Sequence, residues 1–123
     1  MNIQRLQMLA ELLDTVEPDS FDLEHWVKRE RCGTVACAVG HACMHPPFNE
    51  MGLKLDVDPA CPKFSIPTFG EYRRSWDAVI AFFDISLDIA YKLFLHSRYT
   101  LSERTPANVA ARIRAVIAEE QSK

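Results

Sequence analysis

The sequence predicts a mainly α-helical fold, a single domain over residues 1–123 of about five to six helices with an irregular proline-rich middle and at most a minor β element. Three observations carry that expectation. Apolar residues recur every three or four positions in several separate segments, helix-capping residues stand just ahead of those segments, and only one short run alternates as a strand does.

Ile3, Leu6, Leu9, Leu12 or Leu13, and Val16 mark one face of an amphipathic helix over residues 3–15, which Pro18 ends. Asp22 is placed to cap a short second helix with Trp26 and Val27 inward and Lys28 to Arg31 as its solvated end. Thr34 reads as the cap of a third, running through Val35-Ala-Cys-Ala-Val-Gly-His-Ala-Cys-Met44 and stopped by Pro46-Pro47. Its Ala36, Ala38, Gly40 and Ala42 are small enough for neighbouring backbone to approach closely, which makes it the expected centre of the domain.

Pro47 to Met51 reads as one turn closed by Gly52, and Leu53-Lys-Leu-Asp-Val57 as a short strand. Residues 58–68, with Pro59, Pro62 and Pro67, read as a loop anchored by Phe64, Ile66 and Phe69. Trp76, Val79, Ile80 and Phe83 stripe a further helix, and Ser86 caps the next, which turns Ile89, Leu93 and Phe94 inward. Thr105-Pro106 is a strong start signal for a last helix carrying Val109, Ile113, Val116 and Ile117.

The composition, 48% hydrophobic and 25% charged, is that of a globular chain without disordered tracts. Fourteen basic against seventeen acidic residues give a net charge of -3, which argues against a surface that binds phosphates by counterion release. Arg73-Arg74 is too short a cluster to reverse that, so no nucleic-acid partner is expected. Asp84, Asp88 and Lys92 interrupt the longest apolar stretches, so no membrane partner is expected either. The N-terminus alternates polar and apolar residues instead of presenting a signal-peptide core, which points to a cytoplasmic protein with reduced cysteines.

Between Cys32 and His45 stand five potential metal ligands in fourteen residues: Cys32, Cys37, His41, Cys43 and His45. Helical spacing places Cys37 and His41 on one face, where a thiolate and an imidazole could share zinc with Cys32 or His45 and Cys61. The segment lacks a Cys-x-x-Cys knuckle, however, and small buried thiols are ordinary core residues. Cysteine catalysis is a third reading: Cys37 in the first turn of a helix would gain from the dipole, with His41 as base and Cys32 as the alternative thiol. No residue stands out as the orienting group or oxyanion donor such chemistry needs. A close-packed core helix is therefore the preferred reading of the segment.

Trp26, Trp76, Phe82, Phe83, Tyr91 and Phe94 could line a ligand pocket, although aromatics at helical spacing read first as core. Tyr72, Arg73 and Arg74 could meet an anionic group but read first as a solvated helix end, and Asp84 and Asp88 as capping residues. No glycine-rich phosphate loop, Gly-x-Ser-x-Gly elbow, His-Glu-x-x-His or acidic calcium loop is present.

CGTVACAVGHA after a Phe-Asp-x-x-x-Trp segment, then FFDISLDIAYKLF and TPANVAARI, resembles the pattern of small uncharacterised proteins of bacteria and their phages. The resemblance covers nearly the whole chain and implies a shared architecture, without lending an activity, a cofactor or a catalytic residue. In that group Trp as well as His occupies the position of His41, which favours the core reading of the segment.

These readings converge on a non-enzymatic protein-interaction domain in a phage or mobile-element setting, with an unidentified protein partner and no cofactor. The alternatives are a structural zinc domain built on Cys32, Cys37, His41 and Cys61, and a cysteine-dependent enzyme or redox protein using Cys37 or Cys32. A homo-oligomer is also open, because the Trp76 or Ile89 helix could bury a second apolar edge against its own copy.

Overall fold

The computed structural model describes residues 1–30, 33–57, 59–61 and 63–123. The fold is α+β, which corrects the expectation of a mainly α-helical, all-α type of domain with at most a minor β element: 53% of the described residues are helical, 18% lie in strands, and the strands form one five-stranded antiparallel sheet.

The chain opens with α1 (Ile3–Leu13), capped by the Asn2 side chain, which accepts from the Arg5 N–H at 3.0 Å. A 3-10 turn at Pro18–Ser20 leads to β1 (Val27–Glu30) and β2 (Gly33–Ala36), then to α2 (Ala38–Cys43) and α3 (Pro46–Glu50). Next come β3 (Leu53–Val57), β4 (Phe64–Phe69) and β5 (Arg73–Arg74). The remainder is helical: α4 (Trp76–Phe83), α5 (Leu87–Phe94), two 3-10 turns, and α6 (Pro106–Gln121).

The sheet order is β2-β1-β4-β3, with β5 also on β4. β1 meets β4 only at Val27↔Ser65 and Lys28↔Phe64, and β5 meets it at Thr68↔Arg74 and Phe69↔Arg73. The two short strands thus share one edge of β4, while β3 runs along the other from Leu53↔Phe69 to Val57↔Ser65.

Three readings of the middle change with this sheet. Val27 to Glu30 form a strand where a helix end was expected, and the buried-then-exposed order of that segment fits one strand as well as one helical turn. The Thr34 helix begins later: residues 33–36 pair with β1, and Cys37, with extended backbone, caps α2 instead. The proline loop holds β4. Pro67 is tolerated there because its carbonyl accepts the Ser75 N–H at 2.9 Å, and a strand residue's carbonyl and N–H point to the same side. The donor Pro67 lacks would therefore face the gap between β1 and β5 and costs no bond to β3.

Elsewhere the expected signals are realised. Ser86 and Thr105 cap α5 and α6, accepting from the N–H groups of Ile89 and Asn108 at 3.2 Å, and Pro106 opens α6. Gly52, at φ 101°, closes α3 before β3. The helices supply the core: Leu6, Leu9, Ala10 and Leu13 of α1 and Val109, Ile113 and Ile117 of α6 lie in it with Phe48, Phe82, Phe83 and Leu93. Arg114 joins Asp14 through its two terminal guanidinium nitrogens, at 3.1 and 2.5 Å, and so clamps α1 to α6. Among the described residues no helix is long and apolar enough to cross a membrane.

The helical layer meets the start of the sheet at Gly40. A Cβ there would stand 1.7 Å from the Trp26 carbonyl oxygen and 2.9 Å from the Ala36 Cβ, so only glycine lets α2 lie on this backbone. Gly40→Ala is expected to cost about 3 kcal/mol, because the obstacle is backbone and cannot rotate away. Denaturant unfolding checks this, and a loss below about 1 kcal/mol would contradict the close approach.

Candidate functional site

The chain has two tryptophans, and the fold brings them together. Trp26 stands just ahead of β1 and Trp76 is the first residue of α4; their rings meet edge to face with centroids 4.9 Å apart. Tyr91 of α5 packs perpendicular to Trp76 at 4.8 Å. Beside the tryptophans lies a pocket of about 220 Å³, lined by Leu23, Glu24, Trp26, Cys37, Trp76, Phe94, Leu95 and His96.

Each wall has a local cause. Cys37 N–H donates to the carbonyls of His25 and Trp26, at 2.9 and 3.2 Å, where β2 turns into α2, and this fixes the Trp26 backbone against the cap. Trp76 is set by Ser75, whose backbone adopts φ 54° and ψ -129° while its N–H bonds Pro67. The helix α5 ends at Phe94, so Leu95 and His96 leave its axis and close the far side. Glu24 is held at the rim by Arg104, 3.0 Å away, which also donates to the Tyr99 carbonyl at 3.4 Å.

Of the aromatics predicted to line a pocket, Trp26, Trp76 and Phe94 do so, whereas Phe82 and Phe83 are buried in the core and Tyr91 stands behind Trp76. Leu23, Glu24, Leu95 and His96 carried no signal. They lie in irregular segments flanking elements, where no periodicity marks a face.

Cys37 reaches the pocket, but in the wrong state for nucleophilic chemistry. It is 2% exposed, and burial pushes its thiol up to about 12, outweighing the N–H groups of Gly40 and Val39, which favour the thiolate. Its sulfur accepts the Gly40 N–H at 3.4 Å, making Cys37 the structural cap of α2 rather than a residue of its first turn. His41 does not serve it as a base: its Nε2 donates to the Ser20 carbonyl at 2.8 Å and its ring stacks on Phe21. Burial holds His41 below the ordinary histidine range, the Ser20 bond opposing this in part.

The other members of the Cys/His segment are dispersed. Cys43 is buried with its thiol pushed up by desolvation, His45 precedes α3 and packs on Phe48, Cys61 is half-buried, and Cys32 lies outside the described residues. Among the described residues no three of His, Cys, Asp and Glu gather where they could hold a metal ion, so Cys37, His41 and Cys61 are not brought together as a zinc set. Asp84 caps α4 in the left-handed conformation and pairs with the Met1 amine at 3.2 Å, while Asp88 sits in the first turn of α5.

Three outcomes follow. Brief alkylation of the native protein, mapped by peptide, should label Cys61 ahead of Cys37 and Cys43; fast labelling of Cys37 would contradict its neutral, enclosed thiol. Ser75→Gly should raise stability by about 1 kcal/mol in denaturant unfolding, because Ser75 occupies glycine's backbone region and its side chain makes no cap bond. A His41 pKa below its unfolded value of 6.5 means that the unfolded chain binds the proton more readily. Stability should therefore fall as pH drops below about 6.5, and His41→Gln should lessen that fall in pH-dependent melts. No family of known proteins, no curated protein and no solved structure matches the chain.

Proposed function

We propose that the protein is a non-enzymatic interaction domain that takes one apolar side chain of a protein partner into the pocket between Trp26, Trp76 and Phe94. The observation that carries this reading is the meeting of both tryptophans, half-buried, at a single concavity. Tryptophan is among the residues that dominate binding energy at protein interfaces, and partly exposed rings keep apolar area available for a contact. At about 220 Å³ the pocket is smaller than the roughly 300–1,000 Å³ of small-molecule and cofactor sites. It suits a single anchoring residue, with Glu24 and His96 offering polar contacts to the partner's flanking backbone.

The enzyme and zinc readings have less behind them. A thiol raised to about 12 is a poor nucleophile, and Nε2 of His41 is engaged with the Ser20 carbonyl. A phage or mobile-element setting, which rests on the motif resemblance, and a cytoplasmic location, with which the free thiols of Cys37, Cys43 and Cys61 agree, belong to the same reading.

Selection of peptides from a random library against the native protein tests the reading directly. Enriched peptides should carry a bulky apolar residue, shift the tryptophan emission on binding, and lose about tenfold in affinity against Leu95→Ala, as truncation at a contact centre does. Enrichment of peptides that leave the emission unchanged and tolerate Leu95→Ala would refute the pocket as the binding site.

A further inference from the structure

The two ends of the sheet differ in cover. Beyond β2 the chain returns at Phe21, which bridges Ala36, and the Asp22 N–H donates to the Ala36 carbonyl at 2.9 Å. At the other end β3 pairs with β4 alone.

Pro67 decides which backbone groups of β3 face out. Its carbonyl accepts the Ser75 N–H and so points away from β3, and in an antiparallel ladder its partner Leu55 then turns both N–H and carbonyl away from β4. Leu53, two residues earlier and in the same phase, agrees: its carbonyl accepts from Asn49 Nδ2 at 2.9 Å, on the side away from β4. No other segment among the described residues pairs with Leu55 on that edge. A donor and an acceptor side by side on an open strand are a template for another strand.

The side chains select which strand. Leu53 is buried on the core side, so alternation puts Lys54 and Asp56 on the outer face. When β3 is laid antiparallel on its own copy about a two-fold axis at Leu55, Lys54 of each chain stands directly opposite Asp56 of the other, and Leu53 opposite Val57. Sliding the copy by two residues either way sets Lys54 against Lys54 or Asp56 against Asp56, and like charges directly opposite are destabilising. A slip of one residue sets outward-facing backbone groups against inward-facing ones.

The groups this register needs are available. Lys54 is exposed and has no ion pair among the described residues, and Asp56 meets Arg74 through Oδ2, which leaves Oδ1 for the copy's lysine. Val57, a large apolar side chain left 47% exposed, is covered across the new ladder. An acidic or a basic foreign strand would satisfy one of the two charges; the copy satisfies both.

We propose that β3 pairs edge to edge with β3 of a second copy of this chain, antiparallel about Leu55, joining the two sheets into one. The edge shares no residue with the tryptophan pocket and is independent of the pocket's occupant. A short strand on each side makes a small interface, so the dimer is reversible and dissociates on dilution in the micromolar range.

Sedimentation equilibrium over about 10 μM to 1 mM tests this, and the wild-type chain should pass from monomer to dimer within that range. Lys54→Asp makes both cross-strand pairs acid against acid and Asp56→Lys makes both base against base, so each variant alone should dimerise about tenfold more weakly. Mixed in equal amounts, the two should form a heterodimer of about wild-type affinity, since each supplies the charge the other lacks. Asp56→Lys gives up the Arg74 pair, a half-exposed one that matters little to the fold, and circular dichroism checks that both variants fold. In the wild type, the Leu55 amide should exchange with solvent more slowly as concentration rises. A wild-type chain that stays monomeric, dimers indifferent to both charge changes, folded variants that do not associate on mixing, or Leu55 exchange independent of concentration would overturn the proposal.

Discussion

The approach of α2 to the backbone at Trp26 is the contact on which the rest of the structure depends. Gly40 lies where any side chain would strike the Trp26 carbonyl, and Cys37, three residues earlier, bonds the carbonyls of His25 and Trp26 while its sulfur caps the helix. One short segment thereby ends a strand, starts a helix and seats a tryptophan. The sheet is tied to the helical core there, because β2 carries Ala36 into the core and α2 continues with Ala38, Val39, Ala42 and Cys43, all buried.

This also explains why the segment is so rich in cysteine and histidine without gathering them. Its small side chains let backbone approach backbone, a use for which alanine, glycine and thiol groups are interchangeable in kind but not in place. Cys37 and Cys43 are buried as small apolar groups, and desolvation keeps both protonated. His41 is the exception in size, and its imidazole is used to tie α2 to the Pro18–Ser20 turn. Ligand-type residues at ligand-like spacing thus serve packing and capping.

The helices with capped starts were legible in the sequence: Ser86 and Thr105-Pro106 name their helices outright, and α1 shows its buried stripe at Leu6, Leu9 and Leu13. The sheet was not legible, apart from β3. Its strands β1, β2 and β5 run two to four residues, too short to show a period, and β4 hides behind Pro67, whose missing donor points into a gap that only the pairing pattern reveals. Three of the eight residues that line the pocket, Trp26, Trp76 and Phe94, could be read as part of an aromatic set. Its remaining walls come from turns, and its convergence depends on long-range packing that spacing cannot carry.

The central claim is that the α2 cap and the start of α4 bring Trp26 and Trp76 into edge-to-face contact at the mouth of one pocket. Nuclear Overhauser spectroscopy on the protein in solution measures this most directly, since the two indole rings are the only ones in the chain. The expected result is a set of cross-peaks between the Trp26 and Trp76 ring protons, with further peaks from Trp76 to Tyr91. Two indoles without mutual cross-peaks, in a protein whose α6 and α1 signals remain those of a folded core, would contradict the pocket and the close approach that builds it.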